Sequence, residues 1–276
     1  MLEDWVVNTA EIRLHGRLEL SMVPSRRGAR VQVTAQAHRT VKDAIEALGP
    51  PHTEIDLILA DGRPVGLDHR LAAGEFLDVF GIDRPGELTE LPGLMPAAPD
   101  PRRFILDGHL GRLAGYLRML GFDATYDPAA MDADLASLSV REGRILLTRD
   151  RGLLKRSSVR HGYLVRADDP RDQLFDVAAR YELASRAAPF TRCIRCNGLL
   201  ESADPAEVAV RLAGEPRTLK YFDRFSRCSA CGAIYWQGSH FDRMSLLVAE
   251  IRSAAAVSGN AGLVAGSADA AGGAVE

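Results

Sequence analysis

Cysteine is missing from residues 1–192 and again from 232–276, which excludes a disulfide framework running through the chain. No apolar run approaches the roughly 18 residues that a membrane-spanning helix needs, so no membrane partner is expected. The start, Met1-Leu2-Glu3-Asp4-Trp5, has no basic region ahead of an apolar stretch; no secretory signal is expected, and the expected location is cytoplasmic. A strong excess of either charge is lacking too. Net charge is −3 and the pI about 6.2, ordinarily a poor match for nucleic acid. With 46% hydrophobic and 26% charged residues over 276 positions, the composition is that of a globular chain with room for about two domains.

The four cysteines that do occur stand as two CxxC pairs, Cys193/Cys196 and Cys228/Cys231, separated by residues 197–227. Two intervening residues let a tight turn aim both sulfurs at one ion, and two such knuckles supply four thiolates at about 2.3 Å from zinc. Gly232 follows the second pair and Asn197-Gly198 the first, residues that relax such a turn. The competing reading is two disulfides or a redox pair. With no cysteine left over and neither pair opening a helix, zinc is the better account. A four-sulfur site is closed, so this metal is expected to hold structure and do no chemistry.

Charge is spread unevenly. Residues 1–100 carry 10 Lys+Arg against 16 Asp+Glu, whereas 101–250 carry 23 against 19. Between 141 and 160, Arg141, Arg144, Arg149, Arg151, Lys155, Arg156 and Arg160 are opposed only by Glu142 and Asp150. This suits a phosphate-binding surface attached to a neutralising module, with a solvated arginine-rich face as the plain alternative.

Residues 84–101 hold five prolines and two glycines without helical or strand period and read as a linker. Ahead of them, alternation predicts strands over Glu11–Leu20 and Val31–Ala35. Thr40 caps a helix that stops at Gly49-Pro50, and Asp61-Gly62 joins the strands Ile55–Ala60 and Arg63–Val65. A last strand follows at Glu75–Phe80. That order, with the Gly49-Pro50-Pro51-His52-Thr53-Glu54 turn and the run Gly74 to Phe80, resembles the ubiquitin-like β-grasp domains, including the sulfur carriers. The carriers end in a free diglycine; here Gly81-Ile82-Asp83 runs on, so residues 1–83 are read as a binding or positioning module with a possible protein partner. His52 and His69 are read as surface or turn residues.

Beyond the linker, strands (Phe104–Leu106, Asp123–Tyr126, Arg144–Thr148, Tyr163–Val165) alternate with helical patterns (Leu110–Leu120, Asp134–Gly143, Pro170–Tyr181), which predicts a parallel sheet covered by helices on both faces. Residues 253–276, nearly all Ala, Gly, Ser and Val, read as a disordered tail. Ligands of open parallel sheets gather beyond the carboxyl ends of strands. Asp107 and Asp150 follow two such ends, and Asp134 begins the helix feeding the second. Three converging carboxylates call for a hard cation, Mg²⁺ or Mn²⁺. The bland readings stay open: a turn at Asp107-Gly108, a helix cap at Asp134, an ion pair between Asp150 and its flanking arginines.

Phe104-Ile105-Leu106-Asp107-Gly108-His109-Leu110-Gly111-Arg112-Leu113-Ala114, Leu117 to Asp123 and Gly143 to Asp150 resemble the PIN-like RNase family named for the C-terminal region of the Mut-seven exonucleases. The segments Arg192–Leu200 and Cys228–His240 are similar to that family's zinc ribbon, and the family's bacterial members often carry a ubiquitin-like front domain. The resemblance implies a PIN-like α/β domain at 102–186, a zinc ribbon at 187–252, RNA as ligand and a metal on Asp107, Asp134 and Asp150. One departure concerns the fourth carboxylate usual in PIN nucleases: Arg151-Gly152-Leu153-Leu154 offers none, and Asp168 and Asp169 are the nearest substitutes.

The expected function is a Mg/Mn-dependent ribonuclease with Arg149 steadying added negative charge. Arg112, Arg118, Arg149, Arg151, Lys155 and Arg156 are expected on phosphates, and Tyr235 and Trp236 on unpaired bases. Those two aromatics equally suit the small core over the zinc. His109 and His240 are read as structural. A non-catalytic RNA-binding protein is the alternative, and a protein-interaction adaptor the second.

Overall fold

The computed structural model describes residues 8–36, 38–214 and 216–265. The start Met1–Trp5 and the tail from 266 onward lie outside the described residues. In the first hundred residues the strands are β1 (Thr9–Leu14), β2 (Val31–Thr34), β3 (Leu57–Ala60), β4 (Arg63–Pro64) and β5 (Phe76–Phe80), with helix α1 (Val41–Leu48) between β2 and β3. There follow β6 (Arg103–Leu106), α2 (Gly111–Met119), β7 (Asp123–Tyr126), α3 (Asp132–Arg141), β8 (Ile145–Thr148), α4 (Arg151–Leu154), β9 (Gly162–Leu164), α5 (Pro170–Arg180) and α6 (Leu183–Arg186). The last elements are β10 (Leu200–Ser202), α7 (Pro205–Arg211), α8 (Pro216–Tyr221), β11 (Phe225–Cys228), β12 (Ile234–Trp236) and α9 (Ser239–Ala265). Two compact units divide these elements: residues up to Pro101 with Ala129–Leu164, and Arg102–Pro128 with Val165 onward.

In the first unit the front sheet has the order β2-β1-β5-β3-β4, with β1 and β5 parallel and the other pairs antiparallel. Ala10, Ile12 and Leu14 alternate into a core shared with Val41, Ala44 and Ile45 of α1 and with Ile58, Leu77 and Val79. Period-two burial on the strands and a one-sided apolar stripe on the helix produce this β-grasp layer. Helix α1 opens on the expected Thr40, which forms a capping box with Asp43, and closes at Gly49. Asp61 and Gly62 both take positive φ, the backbone that a two-residue hairpin between β3 and β4 requires.

Two expectations differ from what is found here. The first strand ends at Leu14, and Gly16–Ser21 turns into a 3₁₀ helix, because the Asp83 carboxylate accepts the Arg17 backbone N–H at 2.8 Å and bends the chain away. Residues 84–101 are stitched to the front sheet rather than loose. Asp56 is the stitch: its backbone carbonyl accepts from Leu94 N at 2.6 Å, and its carboxylate pairs with Arg84 Nε at 3.3 Å and accepts from Met95 N at 3.4 Å. Leu94 packs against the front core. Composition signalled the lack of period, but a proline-rich stretch without period still orders when its backbone groups find fixed acceptors.

Residues 129–164 complete this unit. β8 and β9 run parallel, Leu146 opposite Gly162, and all four residues of β8 are buried, as a strand covered on both faces should be. Arg151 donates to the Ser21 carbonyl at 3.1 Å, and the Lys155 ammonium donates to the Glu46 carbonyl in the last turn of α1. That helix has no basic residue of its own in its last turn, so Lys155 supplies the cation its carbonyl end favours. His52 spans the Glu46 carboxylate (2.8 Å) and the Val159 carbonyl (3.0 Å).

In the second unit β6 and β7 run parallel, Phe104 opposite Ala124. Phe104, fully buried, meets Phe122 and Tyr181 edge-on, which packs α5 against β6. The expected disordered tail does not begin at 253: α9 continues to Ala265. Alanine-rich sequence costs little to propagate once Val248 and Ile251 are buried and Arg171 pairs with Glu250.

Replacing Asp56 by alanine is expected to cost about 1–3 kcal/mol and to open residues 84–101. Cleavage by a glutamate-specific protease after Glu87 or Glu90, slow in the parent and rapid in Asp56→Ala, together with a lowered urea midpoint, checks this.

Candidate functional site

The two CxxC pairs fold as matching knuckles. Asn197 N donates to the Cys193 carbonyl and Gly232 N to the Cys228 carbonyl, each at 2.9 Å, and Asn197 and Gly232 both take positive φ, 71° and 70°. The residue after each second cysteine is therefore the one that turns left-handed, glycine in one knuckle and asparagine, the side chain best tolerated there, in the other. Gly198 has a different duty: a Cβ on it would stand 2.9 Å from the Cys228 sulfur. The outcome is four sulfurs within 4.8 Å of one another, Cys193–Cys231 at 3.7 Å and Cys196–Cys228 at 3.4 Å. A tetrahedral ion with bonds of about 2.3 Å needs edges of about 3.8 Å, so the cluster fits a metal such as zinc.

Tyr235 donates its hydroxyl to the Cys193 sulfur at 3.0 Å. Burial opposes ionisation of Cys193, but this bond and the backbone N–H groups of Cys196 and Arg195 prevail and bring its thiol down to about 6. Burial and then the neighbouring sulfur push the Tyr235 hydroxyl well above its usual range, keeping it a donor. Strand periodicity explains why its neighbour differs. Along β12, Tyr235 lies opposite Ser226 and Trp236 opposite Phe225, so the two aromatics project from opposite faces, and Trp236 turns away from the sulfurs.

Arg118, expected on RNA, is committed elsewhere. Its side chain is 5% exposed, and its guanidinium donates to the carbonyls of Ala124 (2.9 Å), Ile194 (3.2 Å) and Arg195 (3.0 Å). Burial weakens its charge, while the Cys196 and Cys193 sulfurs and Asp123 support it. Asn197 makes the second tie: its side chain accepts from Ala124 N at 3.1 Å and donates to Asp123 at 2.7 Å. The first knuckle is thus riveted to the end of α2 and the start of β7. An arginine in a helical pattern gives no sign of this role, because two of the three carbonyls it meets are 76 and 77 residues away.

The expected acidic residues lie as follows. Asp107 stands at the carboxyl end of β6, 6% exposed, and accepts from His109 N at 2.9 Å, capping a short 3₁₀ turn. Asp150 lies two residues beyond β8, exposed, and accepts from Gly152 N at 2.6 Å as the cap of α4. Asp134 is in the first turn of α3, exposed, and does not cap the helix, whose N-cap is Met131. Asp134 and Asp150 belong to the first compact unit and Asp107 to the second. Asp169 caps α5, accepting from the backbone of Arg171 and Asp172. Arg112, Arg149 and Arg156 are exposed; Arg151 donates to the carbonyl of Ser21 in the 3₁₀ helix and Lys155 to that of Glu46 in α1. His69 pairs with Glu75, and His240 lies beside Arg243 in α9.

Arg118→Ala leaves three carbonyls without a donor and is expected to lower stability by about 3 kcal/mol; Arg118→Lys, with no planar fork, should recover less than half. Urea unfolding and amide exchange across residues 193–198 read both.

Among curated proteins nothing matches. Two crystal structures of the small archaeal modifier protein 1 from Haloferax volcanii are similar to the front of the chain. One is 24% identical, covering 26% of this chain and 95% of that one, and the other 26% identical, covering 28% and 99%; the TM-score is 0.22 in both cases. A Mut7-C ubiquitin model matches residues 7–86. The Mut7-C RNAse domain model matches residues 102–248, taking in the parallel strands, Asp107, Asp150 and both cysteine knuckles, and the chain belongs to that family.

Proposed function

We propose that this protein is a metal-dependent ribonuclease acting on RNA phosphodiesters, with a structural zinc on its four cysteines. The observation that carries the reading is Asp107: a carboxylate buried at the carboxyl end of a parallel strand, inside a domain of an RNAse family. A second carboxylate, Asp150, also follows the carboxyl end of a parallel strand. Asp107, Asp134 and Asp150 are oxygen donors suited to Mg²⁺ or Mn²⁺. Such an ion, held there, would polarise a phosphodiester and provide hydroxide near neutral pH.

The chain's own residues do the rest. The backbone N–H groups of His109 and Gly152 each hold one oxygen of Asp107 and Asp150, which fixes the orientation of the two carboxylates. Arg149, next to Asp150, steadies negative charge on the phosphorus, and Arg112 and Arg156 neutralise flanking phosphates. Arg151 and Lys155 contribute less, since each already serves a carbonyl. The four sulfurs do no chemistry, because they leave no open position.

A second reading, RNA binding without cleavage, is favoured by one observation: α4 offers no acid after Asp150, and Asp169 is used up as a helix cap. A third, an adaptor for a protein partner, draws on the ubiquitin-like front.

Labelled single-stranded RNA with Mn²⁺ decides among them. Cleavage should fall at least about a hundredfold with chelator, with Asp107→Asn and with Asp150→Asn. RNA that stays whole yet shifts on a gel favours the binder, and no shift at low salt favours the adaptor. Metal analysis should find one zinc per chain, and Tyr235→Phe should weaken zinc retention about tenfold against a colorimetric chelator.

A further inference from the structure

Beside the knuckles, within the second unit, a cleft of about 980 Å³ opens between the three-stranded sheet β10-β11-β12 and helices α7 to α9. Its walls carry half-buried aromatic rings, Phe222, Phe225, Trp236 and Phe241, together with Arg192 and Arg224. Phe241 already has a partner, lying 4.5 Å from Phe190. Phe225 and Trp236 are a cross-strand pair, 6.5 Å apart and inclined at 53°, too far and too tilted to cover each other's faces. Among the described residues the Trp236 indole N–H has no protein acceptor, whereas the hydroxyl of Tyr235, which also lines the cleft, is bonded to the Cys193 sulfur.

We propose that this cleft takes an unpaired base of single-stranded RNA, stacked on Trp236 beside Phe225. The inference rests on the RNA reading above and adds where the strand is gripped. The volume is that of a ligand site large enough for a nucleotide, and an aromatic face with an unused N–H suits a flat ring edged by carbonyl acceptors. Charge agrees. The acid on the β10 wall, Glu201, pairs with Arg227, which also meets Glu207; Arg224 then offsets the remaining acid, Asp223, and Arg192 adds charge while giving one nitrogen to the Asn197 carbonyl. Stacking on an aromatic is tolerant of base identity, so the cleft grips without choosing sequence.

The test uses the full chain carrying Trp5→Phe, which leaves Trp236 as the only one of two tryptophans. A short oligouridine is compared with the same ribose-phosphate chain lacking bases. Oligouridine should quench the indole fluorescence and the abasic chain should not. Trp236→Leu should weaken oligouridine binding about tenfold without changing abasic binding, and Trp236→Phe should restore most of it. Equal losses for both oligomers, or unchanged oligouridine binding in Trp236→Leu, overturn the cleft and leave the RNA reading standing. If the parent binds neither oligomer, the RNA reading itself fails. Zinc content monitors folding; should Trp236→Leu lose zinc, the quenching comparison in the Trp5→Phe chain decides alone.

Discussion

A single buried guanidinium organises the second compact unit. Arg118 reaches from the end of α2 to the carbonyls of Ile194 and Arg195 inside the first cysteine knuckle, and on its way holds the Ala124 carbonyl in β7. A buried arginine is tolerable only if its donors are satisfied and negative charge lies close by, and here the carbonyls and the Cys193 and Cys196 sulfurs meet both conditions. The consequence runs both ways. A metal on the sulfurs would keep the knuckle in the shape that presents those carbonyls, and Arg118 ties that shape to β7, which pairs in register with β6, the strand ending at Asp107. The first knuckle and the strand that ends at Asp107 are thereby linked through one side chain.

The ubiquitin-like front has a comparable relation to the basic segment. Counting arginines and lysines between 141 and 160 describes charge, not its availability. Lys155 spends its ammonium on the end of α1, Arg151 gives a nitrogen to Ser21, and Arg144 pairs with Glu142. The front is acidic as a whole, yet it meets Arg151 and Lys155 with backbone carbonyls. Helix and turn carbonyls aligned by a capped helix are fixed acceptors, and they give up less conformational freedom than paired surface side chains.

Much of the fold was legible in the sequence. The capping box at Thr40, the Asp61-Gly62 hairpin, the parallel strands and both knuckles lie where local chemistry puts them, because caps, turns and CxxC spacing act over a few residues. Legibility failed where the partner is remote. Residues 84–101 lacked any periodic signal, but Asp56 lies 39 residues upstream of Met95, whose N–H it accepts, and α9 extends through alanines whose composition alone suggested disorder.

The same division holds for the site. Sequence by itself determined that four cysteines are spaced to bring their sulfurs together, that Asp107 and Asp150 follow strand ends, and that the chain resembles an RNAse family, since spacing and motif are local properties. Only tertiary structure decided that Tyr235 serves a sulfur while Trp236 faces a cleft, that Arg118 is a buried rivet, and that Lys155 caps a helix more than a hundred residues away. The physical reason is that a polar or aromatic side chain takes its role from what it is buried against, and burial is settled by contacts between residues distant in the chain.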